Sequence, residues 1–263
     1  MMTKKSFTIS ILFSIIILAS CGTQSKKDGE EQQKETTEMK TEPNTLTQSE
    51  IDDGWILLFD GNTTAGWRGY NLDSFPEKGW KVEDGSLHVI GSGKGEAGGG
   101  GDIIYDKKFD NFELALEWKV SEGGNSGIFY LAKEIPGTPI WKSAPEMQIL
   151  DNEKHVDAKL GKDGNRQAGS LYDLIPADPQ NANPAGEWNK VKILVYKGTV
   201  VHYMNGEPVL EYHLWTDDWK NMVADSKFAD WEEFVNTAEE GYIGLQDHGD
   251  DVWFRNIKIK ELE

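Results

Sequence analysis

Acidic and amide side chains alternate with apolar ones in segment 145–151, Pro-Glu-Met-Gln-Ile-Leu-Asp. Successive side chains of a β-strand point to opposite faces, so Glu146 and Gln148 share one face and the apolar residues share the other. An extra residue taken up by a β-bulge would turn Asp151 back towards Glu146. The segment therefore predicts a strand with an apolar underside and a polar face that can move protons. A half-exposed strand with ordinary solvated acids is the alternative.

Histidines supply the other candidate for proton transfer. His248 lies in the polar turn 246–251, Gln-Asp-His-Gly-Asp-Asp, where neighbouring acids would make its imidazole a stronger base. A hydrogen-bonded turn histidine explains the same residues. His155 follows the acidic strand closely enough to reach the same cleft, whereas His202 alternates with apolar residues and its face is ambiguous. None of the five histidines lies in a zinc-protease pattern.

Two other motif matches are rejected. Segment 93–98 fits a dinucleotide-binding fingerprint, but it leads into a strand-like segment and not into the helix N-terminus that holds a pyrophosphate. Ser170 lies in Ala-Gly-Ser-Leu-Tyr, which lacks the Gly-x-Ser-x-Gly elbow of a nucleophilic serine. The sequence therefore favours acid–base chemistry at the segments above.

Composition narrows the choice of ligand. The formal net charge of -18 argues against nucleic acid and against adsorption to anionic lipid. Ten tryptophans are many for one domain, and exposed indoles stack readily on sugar rings, although most are expected in the core. A neutral ligand with hydroxyl groups fits this composition best.

The N-terminus has the pattern of an export signal. Two lysines precede an apolar run over 7–18, which is too short to span a membrane but fits a signal-peptide core. The small residues before Cys21 resemble the lipobox of bacterial lipoproteins, which implies a signal peptide over 1–20 and acylation of Cys21. A plain secretory signal is the alternative. Because Cys21 is the only cysteine, the exported domain has no disulfide and no thiol nucleophile.

The segment from Cys21 to residue 50 is polar and has no aromatic residue, which predicts a flexible tether. We therefore expect a lipoprotein of the cell envelope, in the periplasm or at the outer-membrane surface, anchored to a membrane through Cys21. One domain is expected over 51–263.

Short strands separated by Gly, Asn and Asp dominate that domain. Residues 112–120 alternate strictly, and the pairs Asp84-Gly85 and Asn205-Gly206 mark hairpin turns. Residues 214–236 are the exception: Thr216 or Asp217 could cap one or two short inserted helices. The pattern predicts an all-β jelly-roll sandwich.

These segments together resemble the 3-keto-disaccharide hydrolases, also described as 3-keto-glucoside lyase/hydratase domains. The resemblance runs from 54–61 to the C-terminus, and its matching segments are 66–67, 101–104, 124–128, 146–151, 155–157, 168–173, 184–189, 205–206, 226–228, 245–249 and 252–257. It implies a concanavalin-like fold. The acidic strand is similar to the Glu-x-Asp-x-x-Glu strand of laminarinase-type glycosidases, but here Gln148 replaces the middle acid and Asp151 the last.

The resemblance also implies a substrate and a reaction. A ketone at sugar C3 acidifies the C2 hydrogen, so a base can remove that proton, the C1 substituent can leave, and water can then add. His248 or His155 is expected to be the base and Glu146 the acid. Glu146 and His155 are also candidate ligands of a divalent metal ion, and no motif requires another cofactor.

The remaining candidates are expected to bind the substrate, an oxidised 3-keto-glycoside. They are Trp67, Asn125, Gln148, Asp151, Tyr172, His202 and Gln246. Two other functions stay open: a non-catalytic carbohydrate-binding lipoprotein, and an ordinary glycosidase that uses Glu146 and Asp151.

Overall fold

The computed structural model describes residues 42–93 and 98–263. The predicted signal peptide, Cys21 and the tether as far as residue 41 lie outside the described residues. Within the described part, no helix is long and apolar enough to cross a membrane.

The described chain folds mainly into short strands, joined by tight turns and a few short helices. The strands are β1 Trp55–Leu57, β2 Trp67–Gly69, β3 Trp80–Glu83, β4 Ser86–Val89, β5 Ile103–Phe109, β6 Phe112–Val120, β7 Asn125–Ala132, β8 Glu146–Leu150, β9 Asn189–Tyr196, β10 Thr199–Met204, β11 Glu207–His213, β12 Gly241–Leu245 and β13 Val252–Glu261. The α-helices are α1 Gln48–Asp52, α2 Asp217–Ala224 and α3 Glu232–Val235, and 3₁₀ turns cover Ile140–Lys142 and Val156–Lys159.

The strands form two antiparallel sheets packed face to face. The larger, sheet A, has the order β11-β10-β9-β6-β13-β4-β3, with β1 also pairing with β13. The smaller, sheet B, has the order β2-β5-β12-β7-β8. This all-β jelly-roll sandwich confirms the predicted fold class.

Sequence alternation accounts for the sandwich. Along β6 every second residue is buried, and Phe112, Leu114 and Trp118 are at most 1% exposed. Burial of apolar area at about 25 cal/mol per Å² is the main favourable contribution to such a core. Asp84 and Gly85 both have positive φ angles. This is the conformation of the tight hairpin turns that Asn-Gly and Asp-Gly pairs favour.

The predicted helical insertion lies between β11 and β12. Thr216 is the N-cap of α2, and its side chain accepts the backbone N–H of Trp219. Trp219 and Val223 are buried on one face of this helix, and Phe234 is buried in α3. Residues 214–237, called the insert below, therefore pack as two short helices over the sandwich, as predicted.

The folded domain begins earlier than the predicted boundary at residue 50. Asn44 is 8% exposed; its backbone N–H donates to Asn256 and its amide nitrogen donates to the carbonyl oxygen of Gly85. Thr47 and Glu50 then form a capping box on α1, and Glu50 pairs with Lys258 of β13. The prediction was wrong for this stretch because a short polar segment gains its order from the sheet that it contacts.

Candidate functional site

Strand β8 presents its polar side chains away from the main core. Met147 and Ile149 are fully buried between the sheets, as the alternation predicts. Glu146 and Gln148 point to the opposite face and are only 8% and 1% exposed, so they are not ordinary solvated surface groups. Gly127, opposite Gln148 on β7, makes room here, because a Cβ at this position would lie 2.0 Å from a carboxylate oxygen of Glu146.

A cavity of about 330 Å³ opens over this face of sheet B. Sheet B and its loops provide one wall and the insert with residues 141–144 provides the other. The lining residues are Asn125, Trp141, Ala144, Glu146, Gln148, Tyr172, Lys227, Phe228, Trp231, Phe234, Gln246 and His248.

The sheet wall is polar and holds the predicted histidine. The amide nitrogen of Asn125 lies 3.4 Å from Nε2 of His248. Three buried polar atoms on this wall have no hydrogen-bond partner among the described residues: Oδ1 of Asn125, Nε2 of Gln148 and Oε1 of Gln246. Buried polar atoms are normally paired, so these atoms are suited to the hydroxyl groups of a ligand.

Glu146 is the buried acid of the cavity. Burial raises the pKa of its carboxyl to about 8, and the negative charges of Asp102 and Asp157 add to this effect while Lys227 opposes it. A carboxyl group with this pKa is largely protonated at neutral pH and can donate a proton.

Two ion pairs support the cavity below Tyr172. The Tyr172 hydroxyl donates to Asp157 at 2.8 Å, and Arg166 pairs with both Asp157 and Asp173. Backbone bonds from Tyr172 to Glu146, and from Gly169 to Gln148, hold segment 169–172 along the free edge of β8. These contacts fix the ring of Tyr172 at the cavity, where the sequence predicts it.

Aromatic rings line the wall formed by the insert. The rings of Phe228 and Phe234 stack at 4.5 Å, and Trp231 packs edge-on against Phe228 at 4.9 Å. Trp141 faces Trp231 with 5.2 Å between ring centroids and is 37% exposed. The cavity therefore has one face that can bind hydroxyl groups and one that can stack on a ring.

Three predicted binding residues do not line the cavity. Trp67 is 4% exposed and its indole N–H donates to the carbonyl of Leu58, so it is a core residue without a free stacking face. His202 is fully buried and lies between the Tyr130 hydroxyl, at 2.8 Å, and the carbonyl of Gly169, at 3.0 Å. Burial lowers the pKa of His202 to about 4.

Asp151 is the third, and it has a local structural role. Its carboxylate accepts the backbone N–H groups of Gly123, at 2.7 Å, and Glu153, at 3.0 Å. Burial opposes ionisation of Asp151, but these backbone donors hold its pKa below the ordinary value. β7 and β8 pair from Glu146 to Leu150 without a register shift, so no bulge in β8 turns Asp151 back towards Glu146. The Asp151 carboxylate binds backbone N–H groups of neighbouring turns instead.

His155 lies at the edge of the site. Its ring centroid is 6.2 Å from that of His248, and its Nδ1 accepts the backbone N–H of Asp157 as the cap of a 3₁₀ turn. In the described ranges, no three His, Cys, Asp or Glu side chains converge in a way that could hold a metal ion.

Several lining residues were not predicted from the sequence. Lys227, Phe228, Trp231 and Phe234 come from the insert, and Trp141 precedes β8. Lys227 and Phe228 lie in segment 226–228, which belongs to the family resemblance, but no site role was assigned to them; for the others the sequence signal is the concentration of aromatic residues within an otherwise polar stretch.

Comparisons with known proteins identify the family of this chain. The model of the 3-keto-alpha-glucoside-1,2-lyase-like domain family matches residues 54–260. The chain belongs to this family. It is 50% identical, over all of both chains, to a 3-keto-disaccharide hydrolase of Bacteroides thetaiotaomicron.

Two solved structures are similar to this chain over most of its length. One candidate glycosyl hydrolase of Parabacteroides distasonis is 31% identical, with a TM-score of 0.75 over 84% of this chain and 100% of the other. A second from the same organism is 27% identical, with a TM-score of 0.61 over 79% of this chain and 99% of the other. Both cover the sandwich and so support the fold of this family member.

Proposed function

We propose that this family member cleaves 3-keto-glycosides to a 3-keto sugar and a free leaving group. Membership of the 3-keto-alpha-glucoside-1,2-lyase-like family and the name of the 50%-identical relative support the substrate class. The observation that carries the proposal is a buried carboxyl with a pKa of about 8 and an imidazole in one cavity.

The reaction proceeds by elimination followed by hydration. A base removes the proton from C2, and the electron pair moves onto the C3 carbonyl oxygen as an enolate. The carbonyl re-forms, a C1–C2 double bond appears, and the C1–O bond breaks with a proton delivered to the leaving oxygen. Water then adds its oxygen to C1 and a proton to C2, which gives net hydrolysis.

His248 is the base and Glu146 the acid in this scheme. The Asn125 amide nitrogen, 3.4 Å from Nε2 of His248, orients the imidazole towards the cavity. Glu146 is protonated near neutrality and can therefore give its proton to the leaving oxygen. His155 does not line the cavity, so His248 is preferred as the base.

The unpartnered atoms of Asn125, Gln148 and Gln246 bind hydroxyl groups of the oxidised sugar. Each atom would gain a hydrogen bond from a hydroxyl group, and this favours a ligand with hydroxyls on one face. The aromatic rings of the insert then face the leaving group or the other face of the sugar.

Reaction in heavy water tests the mechanism. The purified domain is incubated in D₂O with a 3-keto-glucoside and, separately, with its unoxidised parent. Release from the keto form alone, with deuterium at C2 of the released sugar, is expected. Release without deuterium at C2 would contradict elimination, and release from the parent would favour an ordinary glycosidase.

Binding of both sugars without release would favour the alternative of a carbohydrate-binding module. The Asp151 carboxylate binds backbone N–H groups and does not line the cavity, which weighs against a glycosidase that uses Glu146 and Asp151 as a pair.

We also propose that the mature protein is a cell-envelope lipoprotein anchored through Cys21, on the strength of its N-terminal sequence. Mass spectrometry of the membrane fraction should find an acylated N-terminal cysteine, and Cys21→Ala should move the protein to the soluble fraction. An unmodified mature N-terminus would contradict the anchor.

A further inference from the structure

One cation in the cavity has no role in the scheme above. Of the described residues that line the cavity, Lys227 is the single lysine or arginine. It lies in the insert, between α2 and α3, and reaches the polar wall from the opposite side. The chain has a formal charge of -18, yet Lys227 lies in the same cavity as the buried acid Glu146, which suggests a function for this cation.

The contacts of Lys227 leave its ammonium group able to donate a hydrogen bond to a ligand. Its Nζ is 3.6 Å from the carboxylate of Asp173, which is longer than a hydrogen bond, and Asp173 is already bonded to Arg166. Nζ also lies 4.0 Å from the centroid of the Tyr172 ring. The side chain is 38% exposed, so part of it remains accessible to a ligand.

We propose, on the basis of the proposed function, that Lys227 is a catalytic residue that binds the C3 oxygen of the substrate and stabilises the enolate. When the C2 proton leaves for the base, the electron pair moves through C2–C3 onto that oxygen, and a Lys227 N–H donates to the resulting oxyanion. As the carbonyl re-forms and the C1–O bond breaks, the same contact weakens, and Lys227 stays protonated throughout.

This role accounts for the choice of substrate. An unoxidised sugar has a neutral hydroxyl at C3, which develops no charge, so the cation gains nothing in the transition state. A ketone gains most from Lys227 at the moment of proton abstraction. The cation would therefore promote the reaction of 3-keto sugars and leave the binding of their parents almost unchanged.

The charges around Lys227 and Glu146 are consistent with this assignment. Burial holds the pKa of Lys227 below its ordinary value, and the charge of Arg166 adds to this effect. The carboxylates of Asp173, Asp157 and Glu146 act in the opposite direction. Lys227 in turn lowers the pKa of Glu146, whereas burial, Asp102 and Asp157 raise it. Removal of the cation should therefore move the titration of Glu146 to higher pH.

Lys227→Met tests the role, since methionine keeps the length and removes the charge. We expect kcat for a 3-keto-glucoside to fall about 100-fold or more, the usual cost of removing one oxyanion donor. Binding of the unoxidised parent should change less than about threefold. Lys227→Arg should recover part of the rate, and Lys220→Met, on an exposed part of α2, is the matched control.

A pH profile separates catalysis from simple support of the insert. In Lys227→Met the fall in rate on the alkaline side, where Glu146 ionises, should move to higher pH, while the fall on the acid side stays in place. If Lys227→Met does not fold, Lys227→Gln carries the same measurements.

Three results would overturn the role of Lys227: an unchanged kcat, an equal loss in Lys220→Met, or an unmoved alkaline limb. Failure of the wild-type protein to release anything from the keto substrate would instead overturn the proposed function itself.

Discussion

Glu146→Gln should stabilise the protein above neutral pH, although it removes a group proposed for catalysis. The pKa of Glu146 is about 8 in the folded protein, chiefly because of burial, against an ordinary value of 4.5. The folded state therefore binds this proton more tightly than the unfolded chain does. Its contribution to stability is complete below pH 4.5 and is lost as pH rises towards 8.

The size of the effect follows from the two pKa values. Between pH 4.5 and 8, one group with this difference lowers the free energy of unfolding by about 1.4 kcal/mol for each pH unit, or about 5 kcal/mol in all. Glutamine has nearly the same shape and does not titrate. Glutamine loses the attraction between the Glu146 carboxylate and Lys227, which reduces the net gain, so we expect at least about 2 kcal/mol in favour of the variant at pH 8.

Urea unfolding of both proteins at several pH values between 5 and 9 measures this difference. The stability of Glu146→Gln relative to the wild type should rise up to about pH 8 and then level off. Glu207→Gln, an exposed change on β11, is the matched control and should give a nearly flat difference. A flat difference for Glu146→Gln as well would refute the reasoning, because it would mean that the carboxyl ionises freely in the folded protein.

Other substitutions separate chemistry, binding and structure. His248→Ala should lower kcat about 100-fold or more with little change in Tm, and a near-normal rate would remove His248 as the base. Trp231→Ala should raise KM about tenfold, because it removes an aromatic ring from the cavity. Trp67→Phe should lower the free energy of unfolding by about 1–3 kcal/mol at unchanged KM, because it removes the hydrogen bond to Leu58. A raised KM in Trp67→Phe with a normal KM in Trp231→Ala would place the stacking face at Trp67. His202→Gln should flatten the loss of stability as pH falls from 6.5 to about 4, because the folded pKa of His202 is about 4 and the unfolded chain takes up that proton first. Equal acid sensitivity of the variant and the wild type in urea would contradict this account of His202.

Local patterns allowed much of the fold to be predicted. The strict alternation of residues 112–120 and the turn pair Asp84-Gly85 are short-range signals, and both describe the structure well. Thr216 likewise marks the start of α2 through its own side chain. These features depend on residues a few positions apart, so one sequence contains the information.

Only some of the predicted site residues line the cavity, because burial and long-range contacts decide which side chains meet there. The sequence does not show whether a given tryptophan will be buried: Trp67 is buried, whereas Trp141 is 37% exposed. Asp151 was assigned to the acidic strand, but an aspartate after a strand also satisfies the N–H groups of the next turn. Lys227 joins the cavity from about 80 residues along the chain beyond Glu146, and no spacing rule reveals such a contact.

The division of the cavity between a sheet and an insert has an evolutionary consequence. The residues proposed to transfer protons lie on paired strands or their end loops, whereas most of the aromatic residues that line the cavity lie in the insert between β11 and β12. Mutations, insertions or deletions in the insert can reshape the aromatic wall of the cavity without changing the strand register of either sheet. Exchange of the insert between members of the family is therefore a direct route to altered substrate selectivity.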